Sequence, residues 1–427
     1  MAPNLEPGEV FTPNAFPLEH YNVYAAREAA ERALEESIPR NQVPVIYGEF
    51  GVGKTTLVKR FFRKEEQEGR FIHVLSPAGK NLDDVAKLVL EELSYAVEIS
   101  REDTREVSAE TSVEAGVFGT LKAKLSGGLR GGSTVREELV VTAPTDQGLL
   151  KVMAEAGVIL AIDEMHKASD GFRLQLAEML KAASNLGRGY PKVAIVGTTA
   201  DASELVRQDA GIDRLVREVR VEPMTEDEAT FVVTDGMGKL ALEVSEELVR
   251  SIIRTAAGAP ALLQEICLDV AERAIEGGAT GITREHLEAS IARFLLSSQA
   301  RLTALYMAAI ETTGPRRYRK QILRAMAESP TDFVTMEELT RRVSAYVSAE
   351  VPSTALSGPL RELKQLQFGQ ILRDVPRPSA DGTRVYNLNA FRDPRMKAFI
   401  RAMNGVEQQG WLPLRAQIAA LPSLSGE

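Results

Sequence analysis

The run Gly48-Glu49-Phe50-Gly51-Val52-Gly53-Lys54-Thr55-Thr56 carries the clearest chemistry in the chain. It fits Gly-x-x-x-x-Gly-Lys-[Ser/Thr], the pattern of a phosphate-binding loop. Its glycines let backbone N–H groups turn inward on phosphate oxygens. The start of a following helix adds a fixed partial positive charge. Lys54 is then expected to reach the β- and γ-phosphates of a nucleotide, and the Thr55 hydroxyl to hold Mg²⁺.

Three further stretches suit the same chemistry. Asp163 ends the apolar run Val158–Ile162, where a carboxylate can hold Mg²⁺. Glu164 follows it and could take a proton from an attacking water; the plainer reading is that both acids cap the next helix. Thr198 and Thr199 end another apolar run, as sensors of the γ-phosphate or as ordinary turn hydroxyls. Arg214, Arg217 and Arg220 follow, and Arg214 is the favoured candidate for an arginine supplied to a neighbouring subunit's nucleotide. It is otherwise a surface arginine. His166 has no partner at metal-ligand spacing and reads as a local hydrogen-bonding group.

The elements that must position these groups follow from periodicity. Val43–Tyr47, Arg70–Leu75, Val158–Glu164, Lys192–Thr199 and Arg217–Met224 read as strands, with helices between them. Such alternation predicts an α/β core with a parallel sheet covered by helices on both faces. Residues 96–145 interrupt it; alternation over Thr111–Leu125 reads as a hairpin, and a flexible loop, suggested by the glycines after it, is the competing reading. From Thr225 the pattern is helical only, over 226–239, 245–257, 259–277 and 282–298, which predicts an all-α lid. Residues 316–390 read as a winged helix-turn-helix, with helices at Arg319–Glu328, Thr335–Val347 and Ser353–Gln367 and wing strands at Gln370–Val375 and Thr383–Leu388. The expected division is an irregular arm at 1–20, a core at 21–224, a lid at 225–299, a winged-helix domain at 300–405 and a tail at 406–427.

The chain has 427 residues, one cysteine and a net charge of −9. No apolar run is long enough to cross a membrane, the start lacks a signal-peptide pattern, and a lone Cys267 excludes an internal disulfide framework. A cytoplasmic protein is expected. The charge is uneven. Residues 300–405 hold 17 Lys and Arg against 10 Asp and Glu, a net of +7, whereas residues 1–299 carry −15. A basic module on an acidic core predicts duplex DNA as a partner. Arg316, Arg317, Arg319, Lys320, Arg361, Lys364 and Arg384 are its expected phosphate contacts; the rival reading is docking of this face on the acidic core.

The loop, the strand-end acids and the hydroxyl-ended strand together resemble an AAA+ ATPase. Residues 158–224 resemble the TniB/TnsC transposition regulators through Asp163-Glu164-Met165-His166, Leu180-Lys181, Asn185, Val196-Gly197-Thr198, Asp209 and Arg214. The resemblance implies a Walker B pair at Asp163 and Glu164, a sensor at Thr198 and an arginine finger at Arg214. The lid followed by a winged helix is similar to archaeal origin-recognition initiators and to STAND ATPases. Gly258-Ala259-Pro260 resembles the Gly-x-Pro motif that opens a STAND lid helix and implies that Pro260 borders the nucleotide. Tyr24 and Arg27 resemble an adenine-flanking segment. The chain departs from these families in carrying Ala261 where initiators place a sensor arginine, and in having no histidine beyond His286. Together these readings imply a slow, regulated, oligomeric ATPase that binds ATP, ADP and Mg²⁺ and acts on DNA and a protein partner. The alternative is a STAND-type signalling or defence ATPase whose winged helix locks the ADP state.

Overall fold

The computed structural model describes residues 5–17, 19–49, 51–76, 81–93, 96–97, 140–141, 146–184, 192–197, 212–295, 300–311, 318–331, 333–378, 385–393 and 395–408. The chain begins with α1 (Pro7–Val10), α2 (Glu28–Ser37), β1 (Val43–Tyr47), α3 (Lys54–Phe61), α4 (Arg63–Gln67), β2 (Phe71–Leu75) and α5 (Leu82–Glu92). Next come β3 (Ala96–Val97), β4 (Val140–Val141), α6 (Asp146–Ala156), β5 (Ile159–Asp163), α7 (Asp170–Ser184), β6 (Lys192–Gly197) and β7 (Val216–Arg220). Eight helices follow: α8 (Glu226–Lys239), α9 (Glu246–Ala256), α10 (Pro260–Glu276), α11 (Arg284–Arg293), α12 (Ala300–Ile310), α13 (Arg319–Ala327), α14 (Met336–Val347) and α15 (Ser353–Glu362). The hairpin strands β8 (Leu372–Pro378) and β9 (Val385–Phe391) precede the last described helix, α16 (Arg395–Gln408).

Two compact units result. The sheet unit comprises Arg32–Tyr47 and Phe61–Val219. Its five strands run in the order β2-β5-β6-β1-β7, and the pairs β2/β5, β5/β6 and β6/β1 are parallel. Register sets Leu75 beside Asp163, Ile162 beside Ile195 and Gly197 beside Tyr47. The carboxyl ends of these strands therefore share one edge, and β1 leads from that edge into Gly48. All five residues of β5 are buried, as are four of the five in β1. Such unbroken apolar strands need helices on both faces, and Leu90 of α5, Met153 of α6 and Leu176 of α7 are buried in the same core. Asn81 caps α5 by accepting from the Asp84 N–H at 3.0 Å, a contact worth about 1 kcal/mol. The ends of the 96–145 insertion meet as a parallel ladder, Ala96 beside Val140 and Val97 beside Val141. The hairpin expected at 111–125 lies outside the described residues.

The helical unit comprises Met1–Glu31, Gly48–Arg60 and Arg220–Glu427. One apolar core runs through it from Val232 and Val270 to Tyr306 and Phe399, joining segments the sequence divides at 299. The first residues are not simply irregular: α1 forms there, and Val10 and Phe11 are fully buried. Phe11 lies so close to α8 that a Cβ on Gly236 would sit 2.3 Å from its ring. Helix α16 packs on α9 and α13. It runs past the expected boundary at 405, where glycine is required because a Cβ would lie 2.6 Å from the Arg254 carbonyl oxygen. Thr225 and Glu228 form the capping box that starts α8, and Thr335 caps α14. Strands β8 and β9 pair from Leu372–Phe391 to Pro378–Val385, longer than the expected wing strands. Val334 bridges to Asn389, each N–H reaching the other's carbonyl at 2.9 Å. Among the described residues no helix is long and apolar enough to cross a membrane.

Candidate functional site

The phosphate loop lies in the helical unit, and its shape explains its glycines. A Cβ on Gly48 would sit 2.3 Å from the Val221 carbonyl oxygen, so no side chain fits. Gly53 has φ +90°, which disfavours every residue but glycine. A Cβ there would lie 3.6 Å from Cγ of Pro260, the first residue of α10. Pro260 thus borders the loop. Gly51 and Val52 belong to the loop, and Lys54, Thr55 and Thr56 form the first turn of α3. That places the N-terminal end of α3 beside the cradle. The Lys54 ammonium donates to the carbonyls of Gly48 at 3.0 Å and Glu49 at 2.8 Å. Phe50 lies outside the described residues.

Two side chains expected at the nucleotide are bonded within the protein. The buried Arg27 donates from Nη1 to the Val52 carbonyl at 3.3 Å and from Nη2 to the Glu222 carbonyl, and its Nε lies 3.4 Å from Glu228. It ties the loop to the start of α8 through all three of its guanidinium nitrogens. The Glu49 carboxylate is held by Lys397 and Arg401 of α16, so only its backbone lines the loop. Tyr24 donates its hydroxyl to Glu31 at 2.8 Å, under the Arg60 guanidinium; burial first, then this acceptor, pushes its phenol pKa up.

In the sheet unit Asp163 is buried at the tip of β5. Its Oδ1 accepts the Glu164 N–H at 2.6 Å, and its Oδ2 lies 3.1 Å from His73 Nε2. Glu164 takes a left-handed conformation, φ 56° and ψ 37°, and its carboxylate pairs with Lys167. Left-handed backbone at a non-glycine residue stores strain and concentrates at functional sites. A hard oxygen donor such as the Asp163 carboxylate is what Mg²⁺ selects. Thr198, Asp209 and the His166 side chain lie outside what the structure describes. Arg217 pairs with Glu36 of the same unit. Arg214 is exposed and makes no ion pair among the described residues.

The basic face needs correction. Arg319 is 5% exposed, its guanidinium paired with Glu362 at 2.9 Å, bonded to the Glu311 carbonyl and stacked on Phe368 at 4.3 Å. It is an internal strut rather than a phosphate contact. Lys320 is paired with Glu407 and Lys364 with Asp374, both at 2.6 Å. Arg361 is exposed on α15. Arg316, Arg317 and Arg384 lie outside the described residues.

Sequence reasoning missed His73, Lys167, Lys397 and Arg401. Only His73 left a signal, as the single polar residue of the strand Phe71-Ile72-His73-Val74-Leu75.

The five-stranded sheet, parallel across β2, β5, β6 and β1, with a glycine-rich loop after β1 and an acid at the tip of β5, has the layout of a P-loop ATPase core. No curated protein matches the chain. Solved structures resemble it at low identity. Cdc6p of Pyrobaculum aerophilum is 15% identical, covering 94% of this chain and 98% of its own, with a TM-score of 0.45. A Walker-type ATPase of Pyrococcus abyssi is 16% identical, covering 91% and 98%, with a TM-score of 0.44. The RuvB Holliday junction branch migration motor of Thermotoga maritima is 13% identical, covering 88% and 95%, with a TM-score of 0.40. A family model described as an ATPase domain predominantly from Archaea matches residues 24–266, more than half of the chain. The chain belongs to that family and is an ATPase.

Proposed function

We propose that the chain is a nucleotide-controlled switch that hydrolyses ATP slowly, assembles with further copies of itself and grips duplex DNA through a winged helix. Glu164 is its general base, Asp163 and Thr55 hold Mg²⁺, Thr198 senses the γ-phosphate, and Arg214 reaches the nucleotide of a neighbouring subunit. The observation that carries the DNA reading is the exposed face of α15. Ser353, Thr354, Ser357 and Arg361 are exposed along it. Hydroxyls and an arginine at helical spacing suit base edges and phosphates in a major groove. The order α13, α14, α15, β8, β9, with Val334 bridging to β9, supports the reading, as does the net charge of +7 over 300–405. The correction at Arg319, Lys320 and Lys364 reduces the free cations and favours modest, weakly sequence-selective affinity.

Bound Mg²⁺ would supply charge neutralisation at the phosphates. The chain's own residues do the rest: the loop amides and Lys54 bind, Asp163 orients, and Glu164 accepts a proton from water. Electron microscopy of the whole protein with ATP and Mg²⁺, with and without duplex DNA, tests the reading. Rings or filaments seated on DNA are expected. Monomers that ignore DNA would favour the STAND-type alternative.

A further inference from the structure

Glu49 is an odd residue for its place. It directly follows the first glycine of a loop built to hold phosphates, where a carboxylate would repel the ligand. The structure turns that carboxylate away, onto α16. Lys397 Nζ lies 2.7 Å from Oε1; Arg401 Nη1 lies 2.7 Å from Oε2 and Nη2 3.1 Å from Oε1. The two oxygens are therefore shared between an ammonium and a forked guanidinium, the geometry in which charge-assisted bonds are strongest.

Both cations are themselves fixed. Lys397 also donates to the Thr331 carbonyl at 3.0 Å, and Arg401 to the carbonyls of Ala327 at 2.5 Å and Ser329 at 3.4 Å. These carbonyls belong to the end of α13 and the turn after it. The side chains of Lys397, Arg401 and Glu49 are 5%, 18% and 14% exposed. Burial pushes the Glu49 carboxyl upward, but the hydrogen bonds and charges of Arg401 and Lys397 outweigh this and hold it below the usual carboxylate range. It stays ionised, so its charge must be kept somewhere. Buried ion clusters add little net stability, because desolvation offsets attraction. A stabilising role therefore does not explain why three charged groups converge on the phosphate loop.

We propose that Lys397 and Arg401 are positioning residues of the nucleotide site, holding the Glu49 carboxylate out of the phosphate cradle and so tying α16 to nucleotide occupancy. The proposal rests on the loop being the nucleotide site and adds a regulatory arm to it. When α16 holds Glu49, the cradle presents only amides and Lys54 to an anion. When α16 lets go, an ionised carboxylate is free at its rim. Docking of α16 and binding of a nucleoside polyphosphate then favour each other, and the coupling is reciprocal.

The test uses the full chain, ADP with Mg²⁺, calorimetry, and hydrogen exchange over residues 395–408. Arg401→Met is expected to weaken ADP binding about 5-fold or more, and Arg401→Lys, which keeps the charge but not the fork, to weaken it less. Adding Glu49→Gln to Arg401→Met is expected to restore most of the affinity, because the repelling charge is gone; lost packing alone would not be repaired this way. ADP is expected to slow exchange over 395–408 in the wild type. Should Arg401→Met not fold, Lys397→Met with and without Glu49→Gln gives the same comparison. ADP binding by the single variant at wild-type strength, a double variant no tighter than the single one, or wild-type exchange over 395–408 that ignores ADP would each overturn the proposal. Nucleotide binding that survives Lys54→Ala would instead remove the loop from the site altogether.

Discussion

His73 and Asp163 are joined across neighbouring parallel strands, Nε2 of the one 3.1 Å from Oδ2 of the other. His73 is level with Ala161 in the ladder, so it reaches diagonally forward to the strand tip. With the Glu164 N–H on Oδ1, both oxygens of Asp163 have a defined donor or neighbour. The carboxylate is oriented by the chain's own groups. Partners that orient ligating carboxylates commonly matter about 10-fold or more in metal affinity or activity. His73→Ala should therefore raise the Mg²⁺ concentration needed for half-maximal turnover by about 10-fold, with ADP affinity in the absence of metal unchanged. His73→Asn, which keeps a donor, should recover part of the loss. Equal Mg²⁺ dependence in all three proteins would reduce His73 to a packing residue.

Glu164→Gln should bind ATP like the wild type and lose turnover by about 10²–10⁴, since an amide keeps the shape but accepts no proton. Single-turnover hydrolysis alongside equilibrium ATP binding separates the two effects. A variant that turns over at the parent rate would place the base elsewhere.

Lys54→Ala should lose nucleotide affinity by at least about 10-fold, the scale of one hydrogen bond to a charged group. Calorimetry with ADP is sufficient to read it. The same substitution should leave the fold intact, because the Lys54 ammonium donates to the carbonyls of Gly48 and Glu49 in its own loop.

Arg27→Ala should destabilise the helical unit by about 2–3 kcal/mol, because it leaves a buried clip between the loop and α8 unmade. The shift should appear in the denaturant midpoint, together with weaker ADP binding. Arg27→Lys should recover little of it, since one ammonium cannot span Val52, Glu222 and Glu228 at once. A variant of unchanged stability and weakened adenine selectivity would restore the adenine-flanking role.

The parts legible in the sequence are those that local chemistry dictates. Gly48 and Gly53 are glycine because backbone and φ demand it, and that demand shows in the spacing. The buried strands show as unbroken apolar runs, and Thr225 and Thr335 mark helix starts by their own hydroxyls. What stayed hidden depends on pairings distant along the chain. Glu49 meets Lys397 across 348 residues, and His73 meets Asp163 across 90. Arg319 misled for the same reason. An arginine in a basic stretch reads as surface until Glu362, 43 residues on, is seen to bury it. The arm misled too, because Phe11 finds its slot only where Gly236 leaves one.

Binding of the whole protein to a labelled duplex of mixed sequence, titrated over salt with ADP, ATP and no nucleotide, tests the central proposal most directly. We expect affinity to fall linearly with salt on logarithmic axes, with a slope near −0.9 for each phosphate neutralised. Arg361→Ala should weaken binding across all sequences and flatten the slope by about one, whereas Arg319→Met, which removes an internal strut, should leave the slope unchanged in whatever fraction folds. Wild-type protein that binds no duplex at about 50 mM salt in any nucleotide state, where phosphate contacts are at their strongest, would contradict the DNA-binding switch.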